Sequence, residues 1–201
     1  MKLRYLSIFA AVMLCSVVAF AADDSPFQVR YASNLPIGDS VINITNTGAS
    51  STSAFPNQNG SICVNVYTFD PAEELISCCA CPVTPDGLVS LSARQDLISD
   101  TLTPGVPNSI VIKLLATTGG ACNASVPGAQ AKGMAAWGTT LHALPVTPAA
   151  YGVTETAFTP ATLSEAELTR ISTLCGFIQT NGSGFGICKA CRMGGLAATQ
   201  Q

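Results

Sequence analysis

The sequence predicts a mainly β protein, a β-sandwich or open barrel that carries one C-terminal α-helix and is braced by disulfides. Three observations carry that prediction. Apolar and polar residues alternate with period two in several segments along the chain, as half-buried strands require. One segment near the C-terminus changes to helical spacing behind a capping sequence. Eight cysteines lie beyond an N-terminal segment that reads as an export signal, and an even count in an oxidising compartment reads first as a disulfide framework.

Met1-Lys2-Leu3-Arg4 is a short basic start, Leu6 to Phe20 is uncharged and apolar, and Ala19-Phe20-Ala21 offers the small residues that signal peptidase needs. Residues 1–21 are therefore expected to be a signal peptide and 22–201 a single β-rich domain, exported to the periplasm, the cell surface or the extracellular space. Cys15 falls inside the apolar run behind Leu14, where a lipoprotein anchor would need a small residue.

In the mature chain, Ser40–Asn46 alternates with Ile42 and Ile44 on one side and Asn43 and Thr45 on the other. In Ser61–Asp70, Ile62, Val64 and Val66 share one face and Cys63, Asn65, Tyr67 and Phe69 the other, so both faces are buried and the strand is interior. Asn108–Thr117 turns Ile110, Ile112 and Leu114 inward and Lys113 outward. Gly133–Ala143 puts Trp137, Thr139 and Leu141 on one side, with Trp137 expected as a core anchor. Phe27–Ala32, Gly87–Ala93 and Gly152–Phe158 carry the pattern more weakly. Thr-Pro pairs at Thr84, Thr103, Thr147 and Thr159 mark loops or strand ends, because proline lacks a donor and biases the residue before it away from the α region. Thr45–Gly60, rich in Ser, Thr, Asn and Gly, reads as a long exposed loop.

The helix is expected at about 164–180. Ser164-Glu165-Ala166-Glu167 is a capping box with Leu163 and Leu168 as its hydrophobic staple. Leu168, Ile171, Leu174, Cys175 and Ile178 follow on one face, and Asn181-Gly182 supplies the stop. Packing on the sheet brings Cys175 to the buried side.

Composition excludes some classes of partner. Setting aside Lys2 and Arg4 leaves seven basic against twelve acidic side chains, a net charge of −5. Nucleic-acid affinity comes mostly from Lys and Arg displacing phosphate counterions, so this balance argues against it. Only 10% of residues are charged while 48% are hydrophobic, so Ser, Thr, Asn, Gln and Gly must cover much of the surface. Beyond the signal segment no apolar run approaches the ~20 residues of a transmembrane helix.

The expected disulfide residues are Cys63, Cys78, Cys79, Cys81, Cys122, Cys175, Cys188 and Cys191. Neighbours on an extended chain point to opposite faces, so Cys78 and Cys79 are expected to serve different partners. Cys175 with Cys188 across a short loop, and Cys63 with Cys78 or Cys79 across a hairpin, are the first pairings suggested by proximity. Two rival chemistries use the same residues. Cys188-Lys-Ala-Cys191 has the spacing of a redox dithiol, although no βαβ pattern surrounds it. Cys78 or Cys79, Cys81, Cys188 and Cys191 also match a four-thiolate zinc site, for which C-C-x-C is irregular. No cofactor is called for.

Other motifs have plainer readings. Gly38-Asp39-Ser40 is similar to the nucleophile block of GDSL-type hydrolases, but the only histidine, His142, lacks the aspartate three residues before it. Asp70, Glu73 and Glu74 form an acidic turn without the ligand spacing of a calcium loop. Asn43, Asn123 and Asn181 open glycosylation sequons. The stretch Cys63–Gly87 (CVNVYTFDPAEELISCCACPVTPDG), with the C-terminal helix and its trailing cysteines, resembles a group of exported, cysteine-rich bacterial proteins of no known activity. That resemblance implies no site or cofactor. The expectation is a structural or binding protein of the surface, envelope or an extracellular assembly, with itself or an envelope protein as partner. The periplasmic thiol oxidoreductase or thiolate metal-binding protein is the alternative. Phe27–Ala32 either pairs within its own sheet or lends itself to a neighbour's.

Overall fold

The computed structural model describes residues 24–55, 59–148, 150–189 and the short strand at 192–193. The expected signal segment and Cys191 lie outside the described residues. In chain order the strands are β1 (Phe27–Ala32), β2 (Asp39–Asn46), β3 (Ile62–Phe69), β4 (Leu75–Val83), β5 (Leu88–Ser92), β6 (Ile110–Thr118), β7 (Ala129–Gln130), β8 (Met134–Leu144), β9 (Ala150–Ala157) and β10 (Thr159–Pro160). Helix α1 (Glu165–Asn181) follows, and then β11 (Arg192–Met193).

They build two antiparallel sheets, ordered β10-β1-β6-β3-β4, with β7 beside β6, and β11-β5-β2-β8-β9. The alternating residues explain the layers. Ile42 and Ile44 of β2, Val89 and Leu91 of β5, and Met134 and Ala136 of β8 meet Ile62, Val64 and Val66 of β3 and Ile110, Ile112 and Leu114 of β6 in one core between the sheets. Each fully buried side chain of this kind contributes about 1.5–3 kcal/mol. The opposite face of the first sheet presents Phe27, Tyr67, Phe69, Cys78 and Leu115, which pack against Ile171, Cys175 and Ile178 of α1. The result is three layers: sheet, sheet, helix. Every residue of β3 is buried because both of its faces are covered.

Strand β1 pairs antiparallel with β6 in its own sheet, from Phe27 opposite Leu115 to Ala32 opposite Ile110. Besides the two-residue strands β7, β10 and β11, one long strand went unread in the sequence, β4, whose residues LISCCACPV conceal their alternation among small side chains. Trp137 departs from its expected place. It is half-buried on the outer face of the second sheet, beside Ala157 and Phe158, and anchors no core.

The helix start also differs in one respect. Ser164 Oγ accepts from the Glu167 N–H at 3.1 Å, but the Glu167 carboxylate makes no return bond to the cap. It reaches Lys113 on β6 instead, at 2.5 Å. At the other end Gly182 has an ordinary φ of −74°, so it is not a left-handed stop. Glycine is needed there because a Cβ would lie 2.5 Å from the carbonyl oxygens of both Ile178 and Phe185.

Where β1 meets the second sheet, Arg30 crosses the interior. Its Nη1 donates to Ser40 Oγ at 2.6 Å, its Nη2 to Thr140 Oγ1 at 2.8 Å and its Nε to Thr156 Oγ1 at 3.2 Å. No carboxylate pairs with it among the described residues, and burial lowers its pKa. Gly138 makes room, since a Cβ there would overlap the guanidinium.

Candidate functional site

Two regions concentrate the chemistry: the cysteines around β4 and the free edge at β9. Cys78 and Cys79 are adjacent on β4 and face opposite ways, and they bond to different elements. Cys78 joins Cys175 on α1, with Cα atoms 5.9 Å apart, and Cys79 joins Cys188 in the segment after the helix, at 5.4 Å. Cys63 on β3 joins Cys122 in the loop after β6, at 5.3 Å. Cys81, buried on β4, is also disulfide-bonded.

Both pairings first suggested by proximity are therefore corrected. Cys175 and Cys188 do not bond each other because β4 runs between them, one sulfur meeting each of its faces. Cys63 stands opposite Pro82 in the β3–β4 register while Cys78 stands opposite Tyr67. That offset of four residues, ~13 Å along a strand, is too far for a disulfide.

The segment after α1 and the loop before β6 together close the edge of β4. The Cys78 N–H donates to Gly186 O at 2.9 Å, the Cys188 N–H to Cys78 O at 3.3 Å, and, from the loop, the Leu102 N–H to Ile76 O at 3.0 Å. The edge at β5 is covered by β11, and β10 covers Gln28 and Val29 of β1. Pro82, which cannot donate to a further strand, stands on this same β4 edge.

Strand β9 is treated differently. Among the described residues it pairs with β8 alone, and seven of its eight residues are exposed. Its register and one bond reveal which of its backbone groups are free. Ala157 stands opposite Trp137, and the Phe158 N–H donates to Ala136 O at 2.9 Å. Hydrogen-bonded partners alternate along an antiparallel pair. Residues 150, 152, 154 and 156 therefore turn their N–H and C=O groups toward β8, whereas Tyr151, Val153, Glu155 and Ala157 turn theirs outward. Natural edges are usually blunted by lysine, proline or a bulge, and Ala150–Ala157 has none of these.

Around this edge the outer face is apolar, with Tyr151 54% and Val153 61% exposed. Glu155 is the single charged residue of β9, and its carboxylate accepts from Thr139 at 3.0 Å. Beside Tyr151 opens a cleft of about 630 Å³ that is also lined by Leu141, Asp39, Arg94 and Lys189. Asp39 is already held, accepting from Ser92 Oγ at 2.6 Å and from the Arg94 N–H at 3.1 Å. Sequence reasoning missed this site, because its residues come from five separate places in the chain.

The remaining candidates have structural places. The Ser40 hydroxyl is wholly buried beneath Arg30, with no hydrogen bond to His142 among the described residues. Asp70 Oδ1 accepts from the N–H groups of Ala72 and Glu74, both at 2.9 Å, and so closes the β3–β4 turn. Comparison with protein-family models, curated proteins and solved structures finds no match for this chain.

Proposed function

We propose that this is an exported structural or binding protein, a subunit of the cell surface, envelope or an extracellular assembly, whose working surface is the outer edge of β9. The observation that carries this reading is the contrast among sheet edges. The edges at β4 and β5 are covered by later segments of the chain, and that at β4 is disulfide-clamped, while an eight-residue strand has its outward backbone groups unpaired among the described residues. Strand addition to such an edge supplies main-chain hydrogen bonds without any catalytic group.

Against a thiol oxidoreductase stands the pairing of Cys188 with Cys79. Exchange through a C-x-x-C motif needs its two sulfurs to bond each other, and Cys188 is buried. The same bond removes two of the thiolates that a zinc site would use.

The test is a photo-crosslinking amino acid placed at Tyr151, with Tyr31 on the far edge as the control, in protein expressed in its own compartment. The reading expects a protein adduct from position 151 and none from position 31. Equal labelling from both, or none from either, overturns it. So would free thiols at Cys188 and Cys191 in the native protein.

A further inference from the structure

We infer that the gap between the start of β8 and the crossing from β9 to β10 is a binding site for an ammonium group on a short alkyl stem. Asp24 and Gln28 hold the nitrogen, while Trp137, Ala157 and Phe158 sheathe the stem. This goes beyond the edge reading above and does not rest on it.

The strands themselves make the gap. β9 leaves β8 after Ala157, which stands opposite Trp137. The chain then crosses to the first sheet, where Thr159 and Pro160 pair with β1. Met134, Ala135 and Ala136 extend β8 beyond that last pair, with no β9 residue opposite them. A pocket of about 520 Å³ opens there, a size usual for small-molecule sites.

The side chains at one end of the pocket offer acceptors. Gln28 is 4% exposed, and its Nε2 donates to Met134 O at 3.1 Å and to Ser25 O at 3.2 Å. Both partners are carbonyls, which fixes the orientation of the amide. Among the described residues nothing donates to its Oε1, and Thr68 Oγ1 is the one sealed side-chain polar atom that lacks a partner. The Gln28 oxygen therefore reaches solvent, by way of the pocket that its side chain lines. Asp24 turns Oδ1 to the Gly133 N–H at 2.6 Å and leaves Oδ2 without a partner among the described residues. The Thr47 hydroxyl, which can also accept, lines the same end.

These groups choose the charge of the ligand. No lysine, arginine or histidine lines the pocket. Arg30, 6.0 Å from the centre of the Phe158 ring, is spent on three hydroxyls inside the sandwich. Lys132, beside Gly133, is exposed and makes no ion pair among the described residues. An anion would thus meet the Asp24 carboxylate without a cation to hold it, whereas an ammonium meets acceptors. From Met134 to Trp137 is three residues, ~10 Å along the strand, and there the lining turns apolar with Trp137, Ala157 and Phe158. A short alkyl stem spans that distance, and burying it is favourable for each methylene.

Trp137 is the only tryptophan in the chain, so its fluorescence reports this pocket. Titration of the native protein at neutral pH with n-pentylammonium chloride should give a saturable change. Each buried methylene is worth roughly fourfold in affinity, so ethylammonium should bind at least about tenfold more weakly. Pentanol has the stem without the charge and should bind at least about threefold more weakly, and hexanoate more weakly still. Asp24→Asn keeps an acceptor for the Gly133 N–H but removes the charge, so in this variant pentylammonium and pentanol should bind alike. A circular dichroism spectrum matching the parent shows that the variant is folded, and the ligand series on the parent carries the test if it is not. No saturable change, or pentanol or hexanoate binding as tightly as pentylammonium, overturns the ammonium site. A preference for pentylammonium that survives Asp24→Asn overturns the role of Asp24. Nα-acetyl-lysine methylamide identifies the source of the ammonium: binding equal to that of pentylammonium supports a lysine side chain, and binding at least about tenfold weaker supports a free alkyl amine. None of these outcomes alters the crosslink expected at position 151, so this site and the edge reading fail separately.

Discussion

Lys113 of β6 and Glu167 of α1 meet at 2.5 Å, an ion pair that links the first turn of the helix to the sheet. Lys113 Nζ also lies 4.6 Å from the centre of the Phe69 ring, while the Arg170 guanidinium stands 5.4 Å from the same ring. Phe69 is thus contacted by one cation from the sheet and one from the helix. Because Glu167 turns toward Lys113, it leaves the Ser164 cap with one hydrogen bond where a full capping box has two.

Helix stability should therefore depend more on burial than on capping. Ser164→Ala is expected to cost about 1 kcal/mol through the lost cap. Ile171→Ala should cost about 2–5 kcal/mol, since that side chain is wholly buried against the sheet. Leu168, which helical spacing alone marks as a buried position, is only half-buried, so Leu168→Ala should fall below Ile171→Ala. Glu167→Gln should change stability by no more than about 1 kcal/mol, because its ion pair remains partly solvated. Urea melts of the four variants check the order, and equal effects at Leu168 and Ile171 would contradict the packing.

The helix and the strands built on Val, Ile and Thr were legible in the sequence because burial imposes a period on them. In β3 even the burial of both faces could be read from Ile62 to Phe69. Three things were not legible, each for a physical reason. In β4 the small residues Ser77, Cys78, Cys79 and Ala80 blur the contrast between faces. Disulfide partners depend on which elements flank a strand, and nearness in sequence misled at Cys175 and Cys188. The open edge was hidden because Gly152–Phe158 alternates just as a covered strand does. Only the pairing order shows that no described strand lies beyond it.

Disulfide mapping offers a direct check. Non-reducing digestion should yield Cys63 with Cys122, Cys78 with Cys175, and Cys79 with Cys188. Cys81 is also bonded, and among the eight cysteines beyond residue 21 Cys191 alone is left to be its partner. A peptide linking Cys81 to Cys191 is therefore expected, and a free thiol at either residue would contradict it. The Cys78–Cys175 and Cys79–Cys188 bonds span 97 and 109 residues. In the chain-entropy model such loops contribute on the order of 4–5 kcal/mol each. Replacing Cys78 and Cys175 together by Ala should lower the denaturant midpoint far more than Ser164→Ala does.

Arg30 and Gly138 form a second testable pair. Gly138→Ala forces a methyl into the space of the guanidinium and should cost about 1–3 kcal/mol or more, as overpacking does. In an Arg30→Ala background the same change meets no guanidinium and should cost much less. The double-mutant cycle is expected to show a coupling of roughly 0.5–3 kcal/mol. Additive effects would mean that Gly138 serves some need other than room for Arg30.

Tyr67 predicts the alkaline limb of stability. Its hydroxyl donates to Ala124 O at 2.7 Å in a wholly buried site, and desolvation pushes the phenol above its ordinary value of 10.0. Below the unfolded pKa, about 10, both states hold the proton and the contribution is complete. Above it the unfolded chain releases the proton while the folded chain keeps it, so the folded state binds more protons and stability falls as pH rises. Tyr67→Phe should lower stability at neutral pH by about 1–3 kcal/mol, because Ala124 O loses its donor, yet flatten the decline above about pH 10. Urea melts of both proteins across that range, completed before the disulfides exchange, measure the two slopes. Identical slopes would mean that the Tyr67 phenol ionises as readily in the folded protein as in the unfolded chain, contrary to its burial beneath α1.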